Sequence, residues 1–230
     1  MNNHKKAVLA ALGLSAALLG AHARAEVVLA DVGGVTMVKA IGANVTYTFA
    51  LAEIGLYGPW ESVSITGNTL SFAPGAFDVA GSGLLEDTLF VSVSAHSGYQ
   101  LTSFSLTEGG SYTAGTYLDV DSMFEVRDSY APSSNHVEAS ILESLGEAGS
   151  WNAGTGIVTP PAGWGANGVF DAATLVVTNL LVAQSASISK DYVNLYTIAT
   201  PVPEAETYAM MLAGLGLIGF MARRHTLRSI

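Results

Sequence analysis

The chain has 230 residues, of which half are hydrophobic and 12% are charged, and its formal net charge is −10. A chain of this length and composition can form one globular domain with tails, and its composition is not that of a disordered protein. Because an acidic protein repels phosphate, we do not expect it to bind nucleic acid. The sequence has no cysteine, which excludes disulfides, thiolate metal sites and cysteine nucleophiles within it.

Residues 1–25 are typical of a secretory signal peptide. Two lysines precede an apolar run at 7–20, and Ala23 and Ala25 place small side chains where signal peptidase requires them. We therefore expect signal peptidase to cleave in front of Glu26. An uncleaved membrane anchor is the alternative, but the apolar run is short and its small-residue ending favours removal.

Residues 26–200 contain short segments in which apolar and polar side chains alternate, separated by turn residues. In one of them Val45, Tyr47 and Phe49 alternate with smaller or polar residues. Alternation with a period of two is typical of half-buried antiparallel strands. The segments that we predict as strands are 44–52, 88–94, 101–107, 118–127, 137–142, 175–182 and 193–198.

Many short strands at regular spacing predict an all-β fold, a single β-sandwich of the jelly-roll or immunoglobulin-like type. One segment, 137–147, also permits a helix, for which Ser134 and Asn135 could provide the cap. We find no internal repeat and no linker of domain size in the sequence. We therefore treat residues 26–200 as one domain, called the body below.

The C-terminal end contains an apolar segment, 208–222, that Arg223 and Arg224 follow directly. The segment is shorter than the roughly 20 residues of a full span, but apolar side chains cover every side of it, whereas a surface helix has a polar face. We predict a transmembrane helix within residues 208–230. A core or amphipathic helix is the alternative. Two prolines make residues 201–207 an extended linker.

The basic residues lie mostly at the two ends of the chain. Between Glu26 and Thr200 there are three, Lys39, Arg127 and Lys190, against 17 acidic residues. Lys and Arg that flank a membrane segment stay on its cytoplasmic side. Both ends should then face the cytoplasm and the acidic body should lie outside, so the distribution of charge predicts an exported domain.

Three features follow one another at the C-terminus: Val202, Pro203 and Glu204, then the glycine-containing apolar segment, then Arg223 and Arg224. This order resembles the PEP-CTERM sorting signal, in which a Pro-Glu-Pro motif precedes an apolar segment and an arginine cluster. The second proline of that motif is replaced by alanine in this sequence. The resemblance covers about thirty C-terminal residues.

The resemblance implies a protein of a Gram-negative bacterium that makes exopolysaccharide, with exosortase, an integral-membrane enzyme, as its processing partner. It implies transient anchoring in the inner membrane with the body in the periplasm, followed by sorting to the cell surface or the extracellular matrix. We expect a non-enzymatic protein with a structural or adhesive role there, and exopolysaccharide as a possible partner.

Catalytic motifs are lacking in the sequence: it has no G-x-S-x-G, no G-x-G-x-x-G and no histidine-rich metal pattern. We interpret His96 and His136 as solvent-facing polar residues, and we expect no catalytic residue and no cofactor. Asp119, Asp121 and Glu125 share one face of a predicted strand. A solvated acidic face is our first interpretation of them, and a calcium site is the weaker alternative.

Trp151 and Trp164 lie at either end of a loop rich in glycine and proline. We expect both indoles to anchor this loop onto the core. If they were exposed, they could stack on sugar rings, which makes a secreted carbohydrate-binding module the alternative function. A secreted hydrolase with acidic catalytic residues is the third and weakest hypothesis.

Overall fold

The computed structural model describes residues 25–58, 62–166, 168–202 and 210–216. Twelve strands form one antiparallel hydrogen-bonded sheet. Their bounds are β1 Glu26–Val32, β2 Val35–Ile41, β3 Val45–Ala50, β4 Ser64–Thr66, β5 Thr69–Phe72, β6 Asp78–Ala95, β7 Tyr99–Tyr112, β8 Tyr117–Asp128, β9 His136–Ser144, β10 Gly149–Gly154, β11 Ala172–Ser189 and β12 Tyr192–Pro201. Two single-turn 3₁₀ helices, Leu51–Glu53 and Gly55–Tyr57, follow β3, and a short helix, α1, occupies 210–216.

The sheet consists of two layers that share a single strand pairing. The larger layer has the strand order β1-β2-β3-β6-β11-β8-β9, and the smaller layer has the order β10-β7-β12-β5-β4. A single pairing of Ile188 with Tyr112 connects β11 of the larger layer to β7 of the smaller one. The chain passes between the layers several times, so residues distant in sequence meet across them.

The core lies between the two layers. In β3 the alternation seen in the sequence becomes alternating burial, with Val45, Tyr47 and Phe49 turned inward. The hydroxyl of Tyr47 donates to Oγ1 of Thr197 in β12 at 2.7 Å, and the ring of Phe49 lies 5.5 Å from that of Phe72 in β5. Side chains of the larger layer thus contact the smaller layer directly, which places the two layers face to face.

The predicted all-β class is confirmed. Each segment predicted as a strand coincides with an observed strand, although β6, β7 and β11 extend well beyond the predictions. The helical alternative for 137–147 is wrong, because β9 runs from His136 to Ser144 and pairs with β8 along its length. The choice between jelly-roll and immunoglobulin-like types stays a prediction.

The sequence reading missed the β1–β2 hairpin. Its two-residue turn is Gly33-Gly34, with φ of 61° and 85°, and Val32 pairs with Val35 on either side. Positive φ at both central residues is the requirement of a tight hairpin turn, so the pair of glycines was the available signal.

The two termini lie largely outside the described residues. Of the predicted signal peptide only Ala25 is described, and β1 begins at Glu26. Helix α1 falls within the predicted transmembrane segment, and its side chains are exposed. Among the described residues, no helix combines the length and the hydrophobicity that a membrane span requires. Ala23, Pro203, Glu204, Arg223 and Arg224 lie outside the described residues.

Candidate functional site

A lysine and a glutamate form an ion pair in the centre of the body. Lys190 follows β11 and Glu108 lies in β7, and their Nζ and Oε2 atoms are 2.5 Å apart with both side chains fully buried. Nζ also lies 5.2 Å from the ring centroid of Phe77 and 5.7 Å from that of Trp151. A carboxylate and two aromatic rings therefore surround the amine in place of water.

Three more buried polar side chains complete this group, which we call the core network: Tyr57, Glu108, Ser122, Asn179 and Lys190. Oδ1 of Asn179 accepts hydrogen bonds from Nζ of Lys190 and from Oγ of Ser122, the latter at 2.6 Å. Oγ of Ser122 also contacts Oε1 of Glu108. Nδ2 of Asn179 donates to the hydroxyl of Tyr57 at 2.5 Å. The network joins both layers of the body.

Burial shifts the pKa of two members of the network. It lowers the pKa of Lys190 from 10.5 to about 8, although the carboxylate of Glu108 acts in the opposite direction. It raises the pKa of the Tyr57 hydroxyl well above its ordinary value of 10.0. The lysine amine thus loses its proton more readily than an exposed lysine does, and the tyrosine stays protonated.

The sequence reading missed the core network. The sequence identifies Lys190 only as one of the three basic residues of the body, and it does not single out Glu108. The five members come from separate segments of the chain, and no local pattern joins them. The available signal was the position of Lys190, which directly follows the apolar strand β11 in a body that has only two other basic residues.

Asp128 organises a second buried polar site, between the β8–β9 turn and the loop that contains Trp164. Its carboxylate accepts hydrogen bonds from the backbone N–H of Tyr130 at 3.0 Å, from Nδ2 of Asn135 at 3.1 Å and from the backbone N–H of Gly165 at 2.9 Å. Burial raises its pKa, but these three donors outweigh that effect and leave the pKa below its ordinary value.

Gly165 has the backbone conformation that this contact needs. Its φ is 85°, and a Cβ at this position would lie 2.0 Å from the backbone oxygen of Val169. Any other residue would therefore clash, and the loop can approach Asp128 closely only because position 165 is glycine.

Both tryptophans are anchors, as predicted. Trp151 is 6% exposed, and its Nε1 donates to the backbone oxygen of Ser189 at 3.1 Å. Trp164 is 7% exposed and packs edge-on against Phe170, with ring centroids 5.5 Å apart. Neither ring presents a face to solvent, so the hypothesis of a sugar site built on these two indoles is wrong.

The three acidic residues considered for calcium lie on the outer face of β8, but each has different surroundings. Asp119 accepts a hydrogen bond from the hydroxyl of Tyr117 at 2.9 Å, and Asp121 is exposed. Glu125 accepts one from Nη2 of Arg127 at 2.5 Å, which lowers its pKa. The structure does not bring the three carboxylates together, and a cation of the chain already neutralises one of them.

A different group on this face, Glu125, His136 and Glu138, places one potential ligand atom from each side chain within 4.8 Å of the others. Since Arg127 already pairs with the buried carboxylate of Glu125, we interpret the group as charge pairing rather than as a metal site. His136 is exposed, as predicted, whereas His96 is half-buried and its Nε2 hydrogen-bonds to the hydroxyl of Thr46 at 3.0 Å.

The outer face of the smaller layer has no charged side chain among its described strand residues. Along β12 it presents Tyr192, Asn194 and Tyr196, and the neighbouring strands add serine and threonine hydroxyls. The ring of Tyr192 covers Gly109, since a Cβ there would lie 2.6 Å from the tyrosine hydroxyl. Tyr196 is 37% exposed. This uncharged face combines aromatic rings with amide and hydroxyl groups.

Comparison with solved structures gives weak likenesses. Family 16 Carbohydrate Binding Module-2 is 18% identical over 60% of this chain and 85% of its own, with a TM-score of 0.25. TmCBM61, solved in complex with beta-1,4-galactotriose, is 10% identical over 78% of this chain and 90% of its own, with a TM-score of 0.25. A chain of infectious bursal disease virus Gt strain is 11% identical over 74% of this chain and 39% of its own, with a TM-score of 0.31. Scores this low do not establish a shared fold.

No curated protein matches the chain. A family model does match its C-terminal part: the PEP-CTERM protein-sorting motif, over residues 201–224. The match includes Val202, Pro203, Glu204 and the Arg223-Arg224 pair. The motif implies an exported, membrane-transiting protein that exosortase processes. The chain is therefore a PEP-CTERM domain-containing protein.

Proposed function

We propose that this protein is delivered to the cell surface or the exopolysaccharide matrix and has a structural or adhesive role there. The observation that carries the proposal is the sorting motif at 201–224, which begins at the last residue of β12. The backbone N–H of Val202 donates to the backbone oxygen of Gly98 at 2.8 Å, which ties the start of the motif to the body. Removal of the tail beyond this point would leave the described sheet intact.

In this proposal each part of the tail has its own task. Exosortase recognises Pro203 and Glu204 in an extended linker, since proline keeps the backbone out of helices and leaves it open to a protease. The apolar segment holds the protein in the inner membrane, and Arg223 and Arg224 keep the end cytoplasmic. Signal peptidase acts at the other end, between Ala25 and Glu26.

The test is deletion of the exosortase in the natural host. We expect the protein to remain in the membrane fraction with its tail attached, because the apolar segment is then never released. Immunoblots of membrane and extracellular fractions measure the change in size and location. A chain altered at both Pro203 and Glu204 should also remain in the membrane fraction, even in a host that has exosortase. The matched change Glu206→Ala lies outside the Pro-Glu pair and should leave release from the membrane unaffected. Unchanged size and location in the deletion strain would contradict the proposal.

A second candidate function is carbohydrate binding by the outer face of the smaller layer. The supporting observation is the chemistry of β12. Tyr192 and Tyr196 lie four residues apart on one face of this strand, so their Cα atoms are about 13 Å apart, and Asn194 lies between them. Aromatic faces pack on the apolar faces of sugar rings, and amides and hydroxyls hydrogen-bond to their edges. The lack of charge on the described part of this face favours a neutral polysaccharide.

For this second function we expect Tyr196→Ala to weaken binding to the host's neutral exopolysaccharide about tenfold, or roughly 1.4 kcal/mol, because a stacking ring is lost. Tyr130→Ala is the matched control, since Tyr130 is 56% exposed but lies near the β8–β9 turn. Affinity electrophoresis with the purified polysaccharide gives both affinities. Equal retention of the two variants by the polysaccharide would contradict carbohydrate binding by this face.

A further inference from the structure

The core network contains three groups that can react with one another. Lys190 supplies an amine, Asn179 a carboxamide and Glu108 a carboxyl group, and all three side chains are buried. Nζ of Lys190 contacts Oδ1 of Asn179 and lies 2.5 Å from Oε2 of Glu108. Because Oδ1 is bonded to Cγ, the amine lies beside the carbonyl carbon. Sorting and surface display require none of these contacts.

The hydroxyl of Tyr57 fixes the orientation of the Asn179 amide. Tyr57 has one hydroxyl proton and donates it to the backbone oxygen of Val177 at 3.1 Å. Its oxygen must then accept the hydrogen bond at 2.5 Å from Asn179, so the nitrogen Nδ2 points to Tyr57. The carbonyl oxygen consequently faces the lysine, which is the orientation that an attack on Cγ requires.

The contacts of Ser122 favour transfer of the proton of the ion pair from Lys190 to Glu108. Oγ of Ser122 contacts both Oδ1 of Asn179, at 2.6 Å, and Oε1 of Glu108. A hydroxyl has one proton to donate, and both neighbours are acceptors when the carboxyl is ionised. Both contacts are satisfied once Lys190 has passed its proton to Glu108, because Glu108 can then donate to Ser122 while Ser122 donates to Asn179. This relay polarises the Asn179 carbonyl.

The surroundings of Lys190 favour the uncharged, nucleophilic form of its amine. The rings of Phe77 and Trp151 exclude water from it, and burial lowers its pKa to about 8. A neutral amine has the free electron pair that a nucleophile needs, and a water-free site prevents hydrolysis from competing.

We propose that the folded body joins Lys190 to Asn179 by an isopeptide bond, with Glu108 as the proton carrier. Nζ of Lys190 forms a bond to Cγ of Asn179, and the bond between Cγ and Nδ2 breaks. Protonated Glu108 gives its proton to the departing nitrogen, which leaves as ammonia, and takes up in exchange the proton that the attacking amine nitrogen releases. Atoms and charges balance without an oxidant, a metal or a second substrate.

The bond would tie together the two ends of a bend in β11. The pairing of β11 with β6 shifts register between Ala183 and Ala186, and Ser185 between them has a φ of 57°. Asn179 and Lys190 lie on either side of this bend, 11 residues apart. The cross-link would therefore hold the bend closed when the rest of the body is strained, which suits a protein displayed outside the cell.

The experiment is mass spectrometry of the natural protein purified from its host, with its termini sequenced so that the expected mass is known. We expect the denatured protein to be lighter than its sequence by one molecule of ammonia, about 17 Da. Chymotrypsin can cut after Leu180 and Leu181, and should release a branched peptide in which Asn179 is linked to Lys190. Such a peptide distinguishes the cross-link from loss of water at an N-terminal glutamate.

Two variants assign the roles. Glu108→Gln and Lys190→Met should each keep the full mass of their own sequences, whereas Lys39→Met, which changes an exposed lysine of β2, should still lose ammonia. The measurement on the unaltered chain decides the proposal even where a variant folds poorly. Separate, unmodified peptides containing Asn179 and Lys190 from the natural protein would overturn it, and would leave the sorting proposal untouched.

Discussion

Replacement of Glu108 with alanine is expected to destabilise the body by about 3–5 kcal/mol, because it leaves the amine of Lys190 buried without the carboxylate that compensates its charge. Both side chains of the pair are fully buried, so water cannot take the place of the lost carboxylate. The variant also removes the contact of Ser122 with Oε1, which adds an unsatisfied polar group to the interior.

Urea unfolding monitored by tryptophan fluorescence measures this loss. Glu143→Ala is the matched control, since Glu143 is exposed on β9 and its removal should change stability by less than about 0.5 kcal/mol. The double variant Glu108→Leu/Lys190→Met should recover part of the loss, because no uncompensated charge remains buried. A loss below about 1 kcal/mol for Glu108→Ala would show that the pair is not buried in solution.

Asp128→Asn is expected to cost about 2–3 kcal/mol near neutral pH. An amide offers a single acceptor oxygen in place of two, and its NH₂ group would face N–H donors of Tyr130, Asn135 or Gly165. The loop containing Trp164 would lose its attachment to the β8–β9 turn, so we expect faster proteolysis within this loop as well.

The difference between the parent and Asp128→Asn should depend on pH. The three donors hold the folded-state pKa of Asp128 below its ordinary value of 3.8. The carboxylate therefore contributes fully above about pH 4, and its contribution is lost as the pH falls through the folded-state value. Thermal unfolding of both proteins between pH 7 and pH 2 measures the difference in their stabilities, which should shrink towards pH 2. Asp121→Asn, an exposed change on the same strand, is the matched control, and its difference from the parent should not shrink in this way.

The sequence predicted those parts of the fold that have a local pattern. Strand β3 was recognisable because Val45, Tyr47 and Phe49 alternate with polar residues, and the structure buries these three side chains. Strand β1 was not recognisable, because none of its side chains is fully buried and its sequence shows no regular alternation of apolar and polar residues. The length of β6 was underestimated because its first half, Asp78–Glu86, is rich in glycine and largely exposed.

The same distinction applies to the functional features. The sorting motif could be predicted because its parts are consecutive in the sequence, and the family model covers the same residues. The core network could not, because it forms only when β7, β8, β11 and the turn after β3 meet in the folded body. Asp128 looked like one acidic residue among many until the fold placed Gly165 beside it.

The most direct measurement is the intact mass, with both termini identified, of the protein recovered from outside the cells. We expect a chain that begins at Glu26 and has lost the arginine-rich end, which would show that both processing enzymes have acted on it. Recovery of the whole 230-residue chain from the cytosol, with neither end removed, would contradict the proposal that this acidic β-rich body is exported and sorted by its tail.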